Sequence, residues 1–150
     1  MKKVYLAGFD VFYPDAVERG KNMKQLCEQY GLEGLYPLDN EASSAKEIFE
    51  GNIGLIDECD CVAANLNAFR GMEMDSGTAF EVGYATAKGK QVYGYLSDGR
   101  TQVEKIGLVD DKGFTVENFD MPINLMIGCS AKIIIGTLED ALKQIAQENP

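Results

Sequence analysis

Five short apolar runs alternate with stretches of helical spacing along this chain, and that alternation constrains the fold more than any other feature. Residues 4–9 predict a buried strand, closed by glycine and an acid. Apolar positions at helical spacing follow over 15–30, and Gly31 fits the stop. A weak second strand is predicted at 35–38, then a turn at 39–41. Ser44, with Glu47 three residues on, has the reciprocal N-cap pattern of a helix that continues to about residue 58. Further strands are predicted at 59–66, 91–95 and 132–136, and further helices at 76–88 and 137–147. The last helix has Thr137 as N-cap and Asp140 at its third position. Five strands, each but the fourth followed by a helix, imply an α/β domain, a parallel sheet with helices on both faces. With 150 residues and no repeat, low-complexity tract or linker, one domain over 1–150 is expected. The exception to the pattern is 107–121, rich in Asp, Gly and Asn. A loop that long in a compact α/β domain is usually functional or faces a partner.

Ligands of such sheets bind beyond the carboxyl ends of the strands, where the strand order reverses. In the five-stranded order 2-1-3-4-5 the reversal lies between strands one and three, so the loops at 8–15 and 67–75 border the expected site. Both are aromatic, acidic and turn-rich, and the second feeds directly into the helix at 76–88.

Several kinds of chemistry are excluded. The chain has no histidine, which removes serine–histidine triads, histidine-ligated zinc and imidazole bases. A formal charge of −10 argues against nucleic acid or an anionic membrane as partner. No window has the apolar length of a transmembrane helix, and Met1-Lys2-Lys3 runs straight into the first strand without a signal-peptide hydrophobic region; a cytoplasmic location is expected. Cys59 and Cys61 lack the spacing and the histidines of a zinc site. On a strand they would share one face, and all four cysteines are expected to be free buried thiols. The run Asp57, Glu58 and Asp60 suggests a solvated helix end rather than a metal site. Gly83 to Lys90 has five residues between its glycines and fails as a P-loop, and the first strand lacks the glycine spacing of a dinucleotide site. Neither a cofactor nor a metal is expected.

Carboxylates remain. Glu81 sits among Ala79, Phe80, Val82, Gly83, Tyr84 and Ala85, with no broad polar face nearby, which makes it as much a candidate nucleophile or proton carrier as a solvated helical acid. Asp75, just before Ser76, is an N-cap that could also face a ligand. Six residues of helical rise place it about 9 Å from Glu81, too far for a bonded pair but suited to two ends of a nucleoside-sized ligand. Tyr5 reads first as core; if it reached Glu81, its hydroxyl could orient the carboxylate while leaving it ionised.

Tyr5-Leu-Ala-Gly8, Pro37-Leu-Asp-Asn-Glu41, Phe69-Arg-Gly71, the block from Asp75 to Gly83, and Pro122-Ile-Asn-Leu-Met126 resemble the nucleoside 2-deoxyribosyltransferases, in the expected order and over most of the chain. The resemblance implies a flavodoxin-like fold and transfer of 2′-deoxyribose between nucleobases, a reaction of nucleotide salvage. It makes Glu81 the nucleophile, Tyr5 its orienting tyrosine, and Asp75 a sugar-binding acid near the leaving base. Asn124 matches an asparagine that a neighbouring subunit gives to the sugar 5′-hydroxyl, with Met126 beside it. Gly8, Asp39 and Gly77 fall in the matching segments, and Phe9 directly after the first of them, as further substrate-binding candidates. Two positions depart from the pattern: Asn52 stands where some members have an acid that protonates the base, and Glu41 where some have a base-contacting glutamine. The implied partners are a deoxynucleoside and a free nucleobase, and the implied assembly is a homo-oligomer built on dimers, with a hexamer as its larger form. The mechanism implied is that of a retaining glycosidase transposed to an N-glycoside. A deoxynucleoside monophosphate N-glycosidase shares this fold and glutamate, but the acids of the 8–15 loop would repel a phosphate. A non-catalytic nucleoside-binding module is the third alternative.

Overall fold

The computed structural model describes residues 1–39 and 42–150. Among the described residues, five strands form one parallel sheet: β1 (Lys2–Ala7), β2 (Leu32–Leu35), β3 (Cys61–Asn65), β4 (Gln91–Leu96) and β5 (Lys132–Ile135). Their order is β2-β1-β3-β4-β5, the flavodoxin-like arrangement expected. The longer helices are α1 (Ala16–Gln29), α2 (Ala45–Glu58), α3 (Ser76–Ala87) and α6 (Leu138–Glu148). Two short ones, α4 (Gln102–Ile106) and α5 (Leu125–Gly128), flank the irregular 107–121 stretch and carry too few residues to leave a periodic signal.

Side chains of a strand alternate between the two faces of the sheet, and each face has its own core. Tyr5 and Ala7 of β1 join Val62, Ala64 and Val92 against Ile56 of α2 and Val82 and Ala85 of α3. Val4 and Leu6 join Cys61, Ala63, Tyr93 and Tyr95 against Cys27 of α1 and Leu142 and Ile145 of α6. All five residues of β3 are buried, as befits a central parallel strand covered on both faces. Helix ends follow the sequence signals. Ser44 accepts from the Glu47 N–H at 3.1 Å, Thr137 and Asp140 cap reciprocally, and Gly31 and Gly89 stop α1 and α3 with φ of 73° and 74°.

Two expectations about strands need correction. The second strand lies at Leu32–Leu35, not 35–38: Pro37 cannot donate to a ladder and instead opens a 3-10 turn, Pro37–Asp39. The third begins at Cys61, because the Cys59 N–H still donates to Leu55 and Ile56 as the end of α2. Cys59 and Cys61 therefore serve opposite cores instead of one face. Cys129 is exposed, whereas the other three thiols are buried. No helix among the described residues is long and apolar enough to cross a membrane.

Candidate active site

The sheet order reverses between β1 and β3, and the site grows from the segments that leave their carboxyl ends. At the start of α3, Asp75 accepts from the Thr78 N–H at 3.0 Å and from the Thr78 hydroxyl at 2.8 Å, which fixes the first turn. One and a half turns on, Val82 and Ala85 seat the helix in the core, and the phase they set turns Glu81 toward β1. There Tyr5, fully buried in the middle of β1, donates its hydroxyl to Glu81 Oε2.

Glu81 is half-buried, and loss of water pushes its carboxyl up to about 7. The Tyr5 hydrogen bond pulls in the opposite direction, and the Asp75 charge adds a smaller upward push. Burial, followed by the Glu81 charge and hydrogen bond, raises the Tyr5 phenol well above its ordinary value, so Tyr5 stays a donor throughout the neutral range. The pair presents a carboxylate whose orientation is fixed and whose proton is exchangeable near neutrality.

Glu81 opens onto a cavity of about 560 Å³. Gly8, Val11 and Phe12 wall it from the first loop; Pro37, Leu38 and Ala42 from the segment after β2; Ile48, Phe49, Asn52 and Ile53 from α2; and Asp75, Gly77 and Phe80 from α3. Among these described lining residues are two carboxylates and no basic side chain. A second hollow, about 70 Å³ beside α4, includes neither Glu81 nor any other candidate site residue. The half-buried acid faces the larger cavity.

The first loop is held in place from below. A β-carbon at Gly8 would fall 2.7 Å from Asn65 Cβ, so only glycine lets the loop cross β3 this closely. Asp10 is buried at 5% exposure and accepts from Asn65 Nδ2 at 3.1 Å and from Arg19 at 3.0 Å. Phe69, from the loop after β3, stacks on Phe9 and Phe12 with ring centres 4.8 and 5.4 Å apart, and the Arg70 guanidinium covers it at 4.3 Å. The two switch-point loops are thereby clasped together.

Of the residues named from the sequence, Gly8, Asn52, Asp75, Gly77 and Glu81 line the cavity, and Tyr5 supports Glu81 from behind. Phe9 does not line it but braces the loop clasp. The Asp39 carboxylate is turned to the Tyr36 N–H at 2.8 Å and to Lys24, closing the 3-10 turn. Glu41 lies outside the described residues. Asn124 caps α5 and Met126 lies in its turn, and neither lines the cavity of its own chain; Met126 is 72% exposed. Nor does Asp10 contribute the free loop acidity that the sequence suggests, since it is buried against Arg19. The apolar wall of Phe12, Leu38, Ile48, Phe49 and Phe80 escaped the sequence reading. All five are exposed, and Ile48 with Asn52 and Phe49 with Ile53 stand four apart on α2, a spacing that serves a core face and a cavity wall equally.

The nucleoside 2-deoxyribosyltransferase family model matches residues 4–126, more than four-fifths of the chain. The chain belongs to the nucleoside 2-deoxyribosyltransferase family. A 2-deoxyribosyltransferase of Leishmania mexicana is 37% identical to this deoxyribosyltransferase-family chain over the whole of both, with a TM-score of 0.92. An uncharacterized protein of Schizosaccharomyces pombe is 38% identical over 113 residues, 69% of this chain and 54% of that protein; the chain thus spans about half the length of the curated relative it matches. A conserved protein of Enterococcus faecalis, 22% identical with 99% of each chain covered and a TM-score of 0.67, shares the fold. The matched span of the deoxyribosyltransferase family includes every residue of the cavity wall, and also Asn124 and Met126.

Proposed function

We propose that this protein transfers 2′-deoxyribose from one nucleobase to another through a covalent deoxyribosyl intermediate on Glu81. The observation that carries the reading is the Tyr5-bound carboxylate of Glu81 opening onto an apolar cavity of nucleoside size. The Glu81 carboxylate attacks the anomeric carbon, the N-glycosidic bond breaks, and its electron pair leaves with the base, which takes a proton from solvent on a ring nitrogen; the incoming base of the second half-reaction returns one as its own ring nitrogen is alkylated. Tyr5 holds the attacking oxygen in line and stabilises its charge while the cavity excludes water. Asp75 binds the sugar near the leaving base. A second base then attacks the same carbon, and the bond to Glu81 breaks, so two inversions give net retention. The aromatic and aliphatic wall holds the base ring, and Asn52 is the polar group on α2 within the cavity to address its edge.

The site is completed by a second copy of the chain. Asn124 and Met126 lie off the cavity of their own chain, and Met126, like Leu108, Phe114 and Phe119 of the preceding stretch, is an exposed apolar residue. Another subunit seated on the cavity mouth would bury both surfaces and bring Asn124 to the sugar 5′-hydroxyl. Incubation with deoxyinosine and free cytosine tests the reaction: chromatography should resolve deoxycytidine. Hypoxanthine release without deoxycytidine at any cytosine concentration would make the protein a hydrolase instead, and no base release would remove catalysis altogether.

A further inference from the structure

The amide of Asn124 is held at both ends. Its Oδ1 accepts from the Met126 N–H at 2.8 Å, and its Nδ2 donates to Glu117 Oε2 at 3.1 Å. The other oxygen of the same carboxylate, Oε1, accepts from the Leu125 N–H at 3.0 Å. A backbone N–H can bond only the amide oxygen, and a carboxylate only the amide N–H, so these neighbours dictate which way the amide faces. Among the described residues, one N–H and one oxygen lone pair remain uncommitted. That pair complements an alcohol hydroxyl, which donates and accepts at once.

Glu117 reaches this position from the irregular stretch before α5, and the stretch is fastened on either side of it. The Val116 N–H donates to Leu108 at 3.0 Å, the Gln102 N–H donates to Met121 at 3.0 Å, and the Lys105 ammonium holds the Pro122 carbonyl at 2.9 Å. A half-buried carboxylate fixed between such anchors can hold its partners more firmly than a free surface acid.

Resting on the reading of Asn124 as the ligand of the sugar 5′-hydroxyl, we propose that Glu117 is a positioning residue. It does not touch substrate; it sets the orientation in which Asn124 recognises a donor carrying a primary hydroxyl. Glu117→Gln keeps the shape but replaces one accepting oxygen with an NH₂ group. A donor then faces a donor at either the Asn124 or the Leu125 N–H, and the amide is free to turn over. Glu117→Asp keeps the charge but cannot span both N–H groups.

The test compares kcat/KM for 2′-deoxyinosine and 2′,5′-dideoxyinosine, with cytosine as acceptor, in each protein. Their ratio within one preparation is independent of the fraction correctly folded, which separates positioning from simple loss of structure. The wild type should prefer the hydroxylated donor, and Asn124→Ala should erase the preference. Glu117→Gln should reduce it about 10-fold, the size of one charge-assisted hydrogen bond. Glu117→Asp should fall between Glu117→Gln and the wild type, and Glu117→Gln should add nothing in the Asn124→Ala background. If Asn124→Ala erases the preference while both Glu117 variants keep it, the role of Glu117 is overturned and that of Asn124 stands. No preference in the wild type, or one that survives Asn124→Ala, overturns the Asn124 reading and this inference with it.

Discussion

Replacing Glu81 by glutamine should abolish transfer and also stabilise the fold above neutral pH. Burial raises the carboxyl to about 7 from an ordinary 4.5. Such an acid binds its proton more tightly in the folded chain than in the unfolded one. Its favourable contribution is complete below about pH 4.5 and is lost as pH rises through about 7. At about 1.4 kcal/mol per pH unit, the interval from 4.5 to about 7 corresponds to at most about 3.5 kcal/mol. Glu81 keeps some contact with solvent, so about 2 kcal/mol is the expected size. Glutamine has the same shape, can still accept the Tyr5 hydroxyl, and has no charge to desolvate. Urea unfolding of both proteins should give a stability difference in favour of Glu81→Gln that grows by about 2 kcal/mol between about pH 5 and pH 8. A difference that is flat over that range, or that shrinks, would mean that Glu81 does not titrate as a buried acid.

Tyr5→Phe removes the hydrogen bond that lowers the Glu81 carboxyl, so the acid limb of kcat/KM, expected at about 7 in the wild type, should move to higher pH. The rate at neutral pH should fall roughly 10-fold, the size of a hydrogen bond to a charged group; an unmoved limb would separate Tyr5 from Glu81. Because the described cavity wall holds two carboxylates and no cation, deoxynucleosides should have a higher kcat/KM than their 5′-monophosphates. A preference for the monophosphate in steady-state kinetics would favour the nucleotide N-glycosidase alternative. Glu81→Ala and Asn124→Ala should each be nearly inactive alone yet recover part of the activity when unfolded and refolded together, since mixed oligomers contain sites with both native residues. Absence of recovery despite demonstrated subunit exchange would place each site within one subunit.

The sheet was legible because strands covered on both faces must be apolar throughout. β3 stands out as an apolar run with helical spacing on either side, and β4 as one that follows a helix. β2 was displaced because Leu35, Tyr36 and Leu38 continue the apolar run past the ladder, and only the ring of Pro37 ends it. Glu81 could be singled out because the residues around it leave no polar face for a solvated acid. The cavity wall could not, since Phe12, Phe49 and Phe80 have the same chemistry as core residues and only the tertiary structure leaves them uncovered. Pairings across the chain were equally hidden. The loop acid Asp10 counted as surface charge until Arg19 and Asn65 closed on it, and nothing in the spacing of Glu117 and Asn124 announces that they meet.

Peptide mass mapping after rapid acid quench, with the protein mixed with a deoxynucleoside in the absence of acceptor, tests the nucleophile most directly. A deoxyribosyl group should be found on the peptide containing Glu81 and should disappear when a free base is added before the quench. An adduct on any other residue, or full transfer activity in Glu81→Ala without one, would contradict the assignment.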